Sequence, residues 1–307
     1  MPSGFKRALI LIVAAIAVVG AVWAQVRSTS RQSERYQPPH TADGKPDLSG
    51  VWQALNTANY DIQSHPARPA LALIPAPPRT GVPGLVRATP TDLPAPAVRS
   101  LGAVGGVPAG EGVVEGNEIP YQSWAAARKK ENFEHWLERD PEIKCFMPGV
   151  PRATYMPYPF QIIQSTDKIL IAYEFAGTTR IIHMDKVGDS PSQTWMGWSR
   201  GRWDGDTLVV DVTDFNDQTW FDRAGNFHSD ALHIVERYTL ESPYHLMYEA
   251  TIDDPKVFTR PWKIRMPLYR RVEKDKRILE YKCVEFVEEA MYGHLGVVDP
   301  ASGKVNR

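Results

Sequence analysis

Seven residues, Phe227-His228-Ser229-Asp230-Ala231-Leu232-His233, gather the densest set of proton-transferring side chains in the chain. His228 and His233 stand five apart, so on a regular strand they point to opposite faces, and they converge only if His228 still belongs to the preceding loop. Ser229, His228 and Asp230 have the residue types of a nucleophilic triad. Adjacent residues cannot line up as nucleophile, base and orienting acid, however, and no glycine-flanked nucleophile turn is present. With no third ligand nearby the two histidines are not read as a metal site. What remains is His228 or His233 as a general acid or base, with Glu236 as a second one.

The elements that must position these groups are short strands. From Phe160 onward apolar residues alternate with polar ones. The segments Phe160–Thr166, Ile169–Phe175, Thr179–Met184, Thr207–Thr213, Leu232–Leu240, Tyr244–Thr251, Trp262–Arg270 and Ile278–Val284 are β-branched or aromatic and are separated by turn residues. Asp204-Gly205 is a hairpin dipeptide. With Gly50-Val51-Trp52 as a further strand, the spacing predicts an antiparallel meander long enough to close into a barrel, which removes exposed edges.

Two hairpins then place side chains. A three-residue turn centred on Gly177 sets Glu174 opposite Arg180, either as a solvated salt bridge or as a pair inside the barrel, where Arg180 would stabilise negative charge on an oxygen. A turn at Glu241-Ser242-Pro243 sets Tyr238 opposite Leu246, Glu236 opposite Tyr248 and Ile234 opposite Ala250, a face that is apolar except for Glu236. If that face looks inward, Glu236 is either an acid/base group whose pKa burial raises or a structural carboxylate bonded to Tyr248 or a nearby Arg. Glu174, Arg180, Tyr248 and Trp262 are therefore the expected substrate-binding residues. A one-residue slip would move every partner named here.

Other segments are framing. Tyr121–Asp140 reads as one helix capped by Ser123, with Phe133, Trp136 and Leu137 on one stripe and Pro141 ending it. Pro66–Pro120 holds eleven prolines and eight glycines, which excludes central strands and long helices there. Residues 25–47 are a polar lead-in. The domain itself runs over 48–300, with 66–120 as an inserted loop. Lys256–Arg277 carries nine basic and two acidic residues. This run is either the outward side of two strands or an attractor of anions or membrane surface.

Met1–Ala24 reads as an export signal: Lys6 and Arg7, then an apolar run from Ala8 to Val22, then Val22-Trp23-Ala24 as the cleavage site. The alternative is an uncleaved N-terminal anchor, the sole membrane contact expected. Export to the periplasm or beyond favours a bridge between the only two cysteines, Cys145 and Cys283, over two buried thiols. The 307 residues balance 35 Lys+Arg against 36 Asp+Glu, so a nucleic-acid partner bound through bulk charge is not expected. No phosphate loop, dinucleotide fingerprint or zinc-protease motif is present, and no cofactor is expected.

Pro46-Asp47-Leu48-Ser49-Gly50-Val51-Trp52, Cys145 with Pro148-Gly149-Val150-Pro151-Arg152, Trp203–Val210, His228-Ser229 with Leu232-His233 and Glu236-Arg237, and Asp254-Pro255 with Pro261-Trp262 resemble a family of exported bacterial proteins of uncharacterised function. Gly50-Val51-Trp52 also resembles the Gly-x-Trp that opens the first strand of lipocalins, where a later Arg often packs on the Trp. That resemblance implies a barrel holding a small hydrophobic molecule, and some related barrels are isomerases, hydratases or lyases. The combined expectation is a mainly β, lipocalin-like antiparallel barrel or strongly curled sheet that binds a small, largely apolar or anionic organic ligand. It would act either as a cofactor-free acid/base enzyme or as a non-catalytic envelope carrier or interaction protein.

Overall fold

The computed structural model describes residues 36–67 and 109–285 and the short strands Val297–Val298 and Val305–Asn306. The expected export signal, Met1–Ala24, and most of the Pro/Gly-rich stretch lie outside the described residues.

Nine strands close into a barrel: β1 (Gly50–Ala54), β2 (Phe160–Gln164), β3 (Lys168–Tyr173), β4 (Thr179–His183), β5 (Trp198–Asp204), β6 (Thr207–Thr213), β7 (His233–Leu240), β8 (His245–Asp253) and β9 (Trp262–Arg270). Neighbours pair antiparallel with one exception, β4 with β5, where Ile182 lies beside Ser199 in parallel. The residues between them, 184–197, carry the chain back along the sheet, so this connection is no hairpin. The seam is β1 against β9, with Trp52 beside Arg270 and Ala54 beside Leu268.

Two expectations about strands are corrected. β5, Trp-Ser-Arg-Gly-Arg-Trp-Asp, is a barrel strand that the hydrophobic alternation does not reveal, because Arg200, Gly201 and Arg202 break it. Ile278–Val284 is not a strand. It runs irregularly along one end of the barrel, held where Tyr281 meets Tyr158 and Phe175 at 4.9 and 5.1 Å between ring centres and where Cys283 bonds to Cys145. The predicted single helix is also divided. α1 (Ser123–Glu134) stops at His135, whose φ of −118° is not helical, and α2 (Trp136–Arg139) follows. Ser123 is not the cap; Gln122 occupies that position without a side-chain bond. Phe133 is exposed and Leu137 buried, so the expected stripe is split by the break. A third short helix, α3 (Arg152–Tyr155), packs against β1.

Alternation sorts the strands into an inner and an outer face. Ile169, Ile171 and Tyr173 of β3, Ile234, Glu236, Tyr238 and Leu240 of β7, Leu246, Tyr248, Ala250 and Ile252 of β8, and Trp262, Ile264, Met266 and Leu268 of β9 are all buried. At one end Trp52 fills the floor. Its indole N–H donates to the Leu48 carbonyl at 2.9 Å, and the Arg270 guanidinium lies over its ring at 4.2 Å. Arg270 also donates to Ser49 O at 2.7 Å and Pro243 O at 2.8 Å. Gly50 sits under that guanidinium with φ +146°, a conformation that favours glycine, and a Cβ there would push Arg270 Nη1 from its place. Arg270→Ala removes a cation–π contact and two charge-assisted hydrogen bonds. It should lower the unfolding free energy by about 2 kcal/mol in urea titrations, and a loss under about 0.5 kcal/mol would count against this floor.

Candidate functional site

The centre of the barrel is charged. Arg180 of β4 and Glu236 of β7 form a two-pronged ion pair across the lumen, at 3% and 0% exposure. One prong joins Nη1 to Oε1 at 3.2 Å; the other joins Nη2 to Oε2. Arg180 Nε donates to Ser199 Oγ at 2.8 Å. The hydroxyls of Tyr238 and Tyr248 donate to Glu236 Oε1 at 3.0 and 2.8 Å. Burial works against the Arg180 charge, but the Glu236 carboxylate outweighs it and holds the guanidinium protonated well beyond its ordinary range. Burial and the same carboxylate push the Tyr238 and Tyr248 phenols well up, so both stay donors. Four donors converge on Glu236, three on Oε1 and one on Oε2, so Oε1 is fully engaged while Oε2 accepts a single bond.

The register that builds this centre departs from the predicted one in two ways. In the β7–β8 hairpin Glu236 faces Ala250 and Tyr238 faces Tyr248. The shift is two residues, which keeps each side chain on its face. Tyr248 therefore reaches Glu236 diagonally. At Gly177 the turn is longer than predicted, because Phe175–Gly177 coils as a 3-10 turn; Arg180 faces Ile171 instead of Glu174. The expected Glu174–Arg180 pair is thus absent. Glu174 lies outside the sheet and accepts a bond from the Leu279 N–H at 2.7 Å.

The histidines do not join the centre. His233 sits on the outer face, half-exposed, bonded through Nε2 to Asp211 at 2.9 Å. His228 is buried beyond the other end of the barrel. Its Nε2 meets Thr219 Oγ1 at 2.6 Å and its Nδ1 meets Ser229 O at 2.8 Å. Both ring nitrogens are occupied, and burial lowers the pKa so that the ring stays neutral. Ser229 bonds Asp254 through its N–H and hydroxyl, and not His228. Trp262 closes that same end, edge-on to Phe221 and Phe258 at 5.6 and 5.4 Å. Of the predicted residues, then, Arg180, Glu236 and Tyr248 come together, while Glu174, His228, His233 and Trp262 are placed elsewhere.

Tyr173, Tyr238 and Ser199 belong to the centre and were not singled out from sequence. Tyr238 and Tyr173 were within reach of the two-residue period, since each follows an inward residue of its own strand by two. Ser199 was hidden with β5.

A second polar cluster covers the Trp262 end. Arg152 is fully buried and grips Asp140 with two bonds of 2.8 and 2.9 Å, Glu142 at 3.3 Å and Asn59 at 2.8 Å. Arg223 bonds Glu142 at 2.8 Å and lies over Tyr60 and Trp136. Asp222 joins three loop groups, accepting from Ile62 N, Asn226 N and Asn226 Nδ2. Burial, then the neighbouring Asp61, push its carboxyl up to about 7. A folded pKa above the unfolded value of about 3.9 means stability that is complete below about pH 4 and lost as pH rises through 7. His228 acts in the opposite direction, its contribution being lost as pH falls below about 6.5. Asp222→Asn isolates the first effect. Relative to wild type, the variant should gain stability from pH 4.5 to pH 8 in urea titrations; a pH-independent difference would refute the assignment.

Within the basic run four residues form surface ion pairs: Lys256 with Asp230, Arg260 with Glu118, Arg265 with Glu241 and Glu249, and Arg271 with Glu273. Among the described residues no three of His, Cys, Asp and Glu are grouped to hold a metal ion. Comparisons of this chain with protein-family models, with curated proteins and with solved structures give no match.

Proposed function

We propose that this is an exported protein that holds a small, largely apolar organic molecule in the barrel lumen, against the Arg180–Glu236–tyrosine centre. The single observation that carries this reading is the centre itself: one ion pair with convergent hydroxyls in an otherwise apolar, closed interior. Apolar residues of similar volume would hold such a barrel at least as well, so a buried ion pair is weak evidence of a stability role. Charged groups converging in an apolar enclosure are the pattern of a ligand site. The Gly50–Trp52–Arg270 floor supports kinship with lipocalin-like barrels. The Cys145–Cys283 bridge and the Met1–Ala24 pattern support a periplasmic or secreted location.

Binding is favoured over acid/base turnover. Glu236 is held by Arg180 and two tyrosines, His228 has both nitrogens engaged, and His233 faces outward. The same engagement of Glu236 by groups of the barrel itself is the observation that favours the rival, a non-catalytic envelope protein whose lumen only holds structure. Mass spectrometry of the protein purified from its native host separates the two. A small, hydrocarbon-rich molecule released on denaturation supports the lumen reading; a protein that releases nothing supports the rival.

A further inference from the structure

The barrel is complete at Arg270, where β9 closes on β1. The chain then continues through residues 272–284 without joining that sheet. These residues are exposed except for Ile278, Tyr281 and Cys283, which are half-buried. The segment is fastened around one turn. The Leu279 N–H donates to Glu174 at 2.7 Å. Tyr281 lies against Phe175 and Tyr158, with ring centres 5.1 and 4.9 Å apart. Cys283 is bonded to Cys145. Glu174 and Phe175 open the turn that leads into β4, and Arg180 is the second residue of that strand. The turn holds Ala176 at φ +55°, a left-handed conformation that a residue with a Cβ adopts at a cost. The burial of Phe175, at 1% exposure against the two tyrosine rings, and the Glu174 bond offset that cost.

We propose that residues 272–284 are a redox-released strap. While Cys145 and Cys283 are joined, the strap pins the turn of residues 174–177 and so fixes the entry to the strand that carries Arg180. Once the bond is reduced, the strap leaves the intact barrel and the turn loosens. The inference is independent of what the lumen holds. The bond is the decisive fastening, because ordering an irregular segment costs entropy at every residue, and a hydrogen bond with a half-buried ring is small beside that. It is also within reach of a reductant, since both cysteines are half-exposed. The reductant is a dithiol. Its first thiolate attacks one sulfur and displaces the other, and its second thiol then cleaves the mixed disulfide. Cys145 and Cys283 end as thiols, having taken up two electrons and two protons, and the dithiol ends as a disulfide. The barrel does not need the strap, because all its strands lie between Gly50 and Arg270.

The test compares the full chain oxidised, in dithiothreitol, and with Cys145→Ser and Cys283→Ser combined. One readout is tryptic cleavage after Arg277. The other is amide hydrogen exchange at Leu279 in the strap, at Gly177 and Thr178 in the turn, and along β7. Leu279 donates to Glu174, while Gly177 and Thr178 donate within the turn to Glu174 O and Phe175 O. Reduction should speed the cleavage and the exchange of these amides by about tenfold or more, with the β7 amides remaining far slower. The double variant should match reduced wild type without any reductant. Unchanged cleavage and exchange on reduction would show that the strap holds without the bond, which overturns the proposal. A common rate for turn and β7 amides after reduction would overturn it too, since the bond would then serve the whole fold and release nothing locally. Faster cleavage with Gly177 and Thr178 unchanged would refute the tie to the Arg180 strand.

Discussion

Arg180→Met should lower the unfolding free energy by about 3–5 kcal/mol, because it leaves the Glu236 carboxylate buried without its counter-charge. The bonds from Tyr238 and Tyr248 do not compensate, since neither carries charge, and Ser199 loses the Arg180 N–H that it accepts. Glu236→Gln should cost a similar amount, for it strands the guanidinium instead. The double variant Arg180→Met, Glu236→Leu should recover most of the loss, because both charges leave together. Urea unfolding of the four proteins gives the full cycle. Single variants within about 1 kcal/mol of wild type would mean that the centre is hydrated or loosely held, contrary to the burial described.

Serine at both Cys145 and Cys283 should cost about 5 kcal/mol, the value that loop-closure entropy assigns to a bridge spanning so much chain. The sequence separation is 138 and the Cα–Cα distance is 5.6 Å. The bridge ties the irregular segment after β9 to the turn before α3, so its loss should free Tyr281 from Tyr158 and Phe175 as well. The transition of wild type should move by the same amount in reductant. A reductant-insensitive transition would show that the bond contributes little to the folded state's advantage.

The alternation of single residues was enough to read seven of the eight barrel strands from Phe160 onward, because a half-buried strand writes its two faces into its sequence. β5 escaped because its outer positions are Arg and its inner ones include Ser199 and Gly201, so no apolar rhythm survives. Face was easier to read than partner. Glu236 belongs inside by period alone, whereas its neighbours depend on turn length, and the 3-10 turn at Phe175–Gly177 moved Arg180 by three positions. An Arg partner for Glu236 was among the readings, but that it is Arg180 was hidden for a further reason. The ion pair joins β4 to β7 across the lumen, and cross-barrel contacts between strands that share no ladder leave no mark on local spacing. The cap behaves the same way: Arg152, Asp140 and Arg223 meet through loops with no periodicity to read.

The seam between β1 and β9 also governs how the molecule is made. Gly50–Ala54 emerges early from the ribosome, and its second neighbour, Trp262–Arg270, only near the end of synthesis. Until then the sheet has two bare margins, each a row of unpaired amides and carbonyls open to strands of other chains. A nascent or truncated polypeptide ending before Trp262 should accordingly be aggregation-prone however well its hairpins form, and productive assembly depends on a late, long-range ring closure that is intrinsically slow.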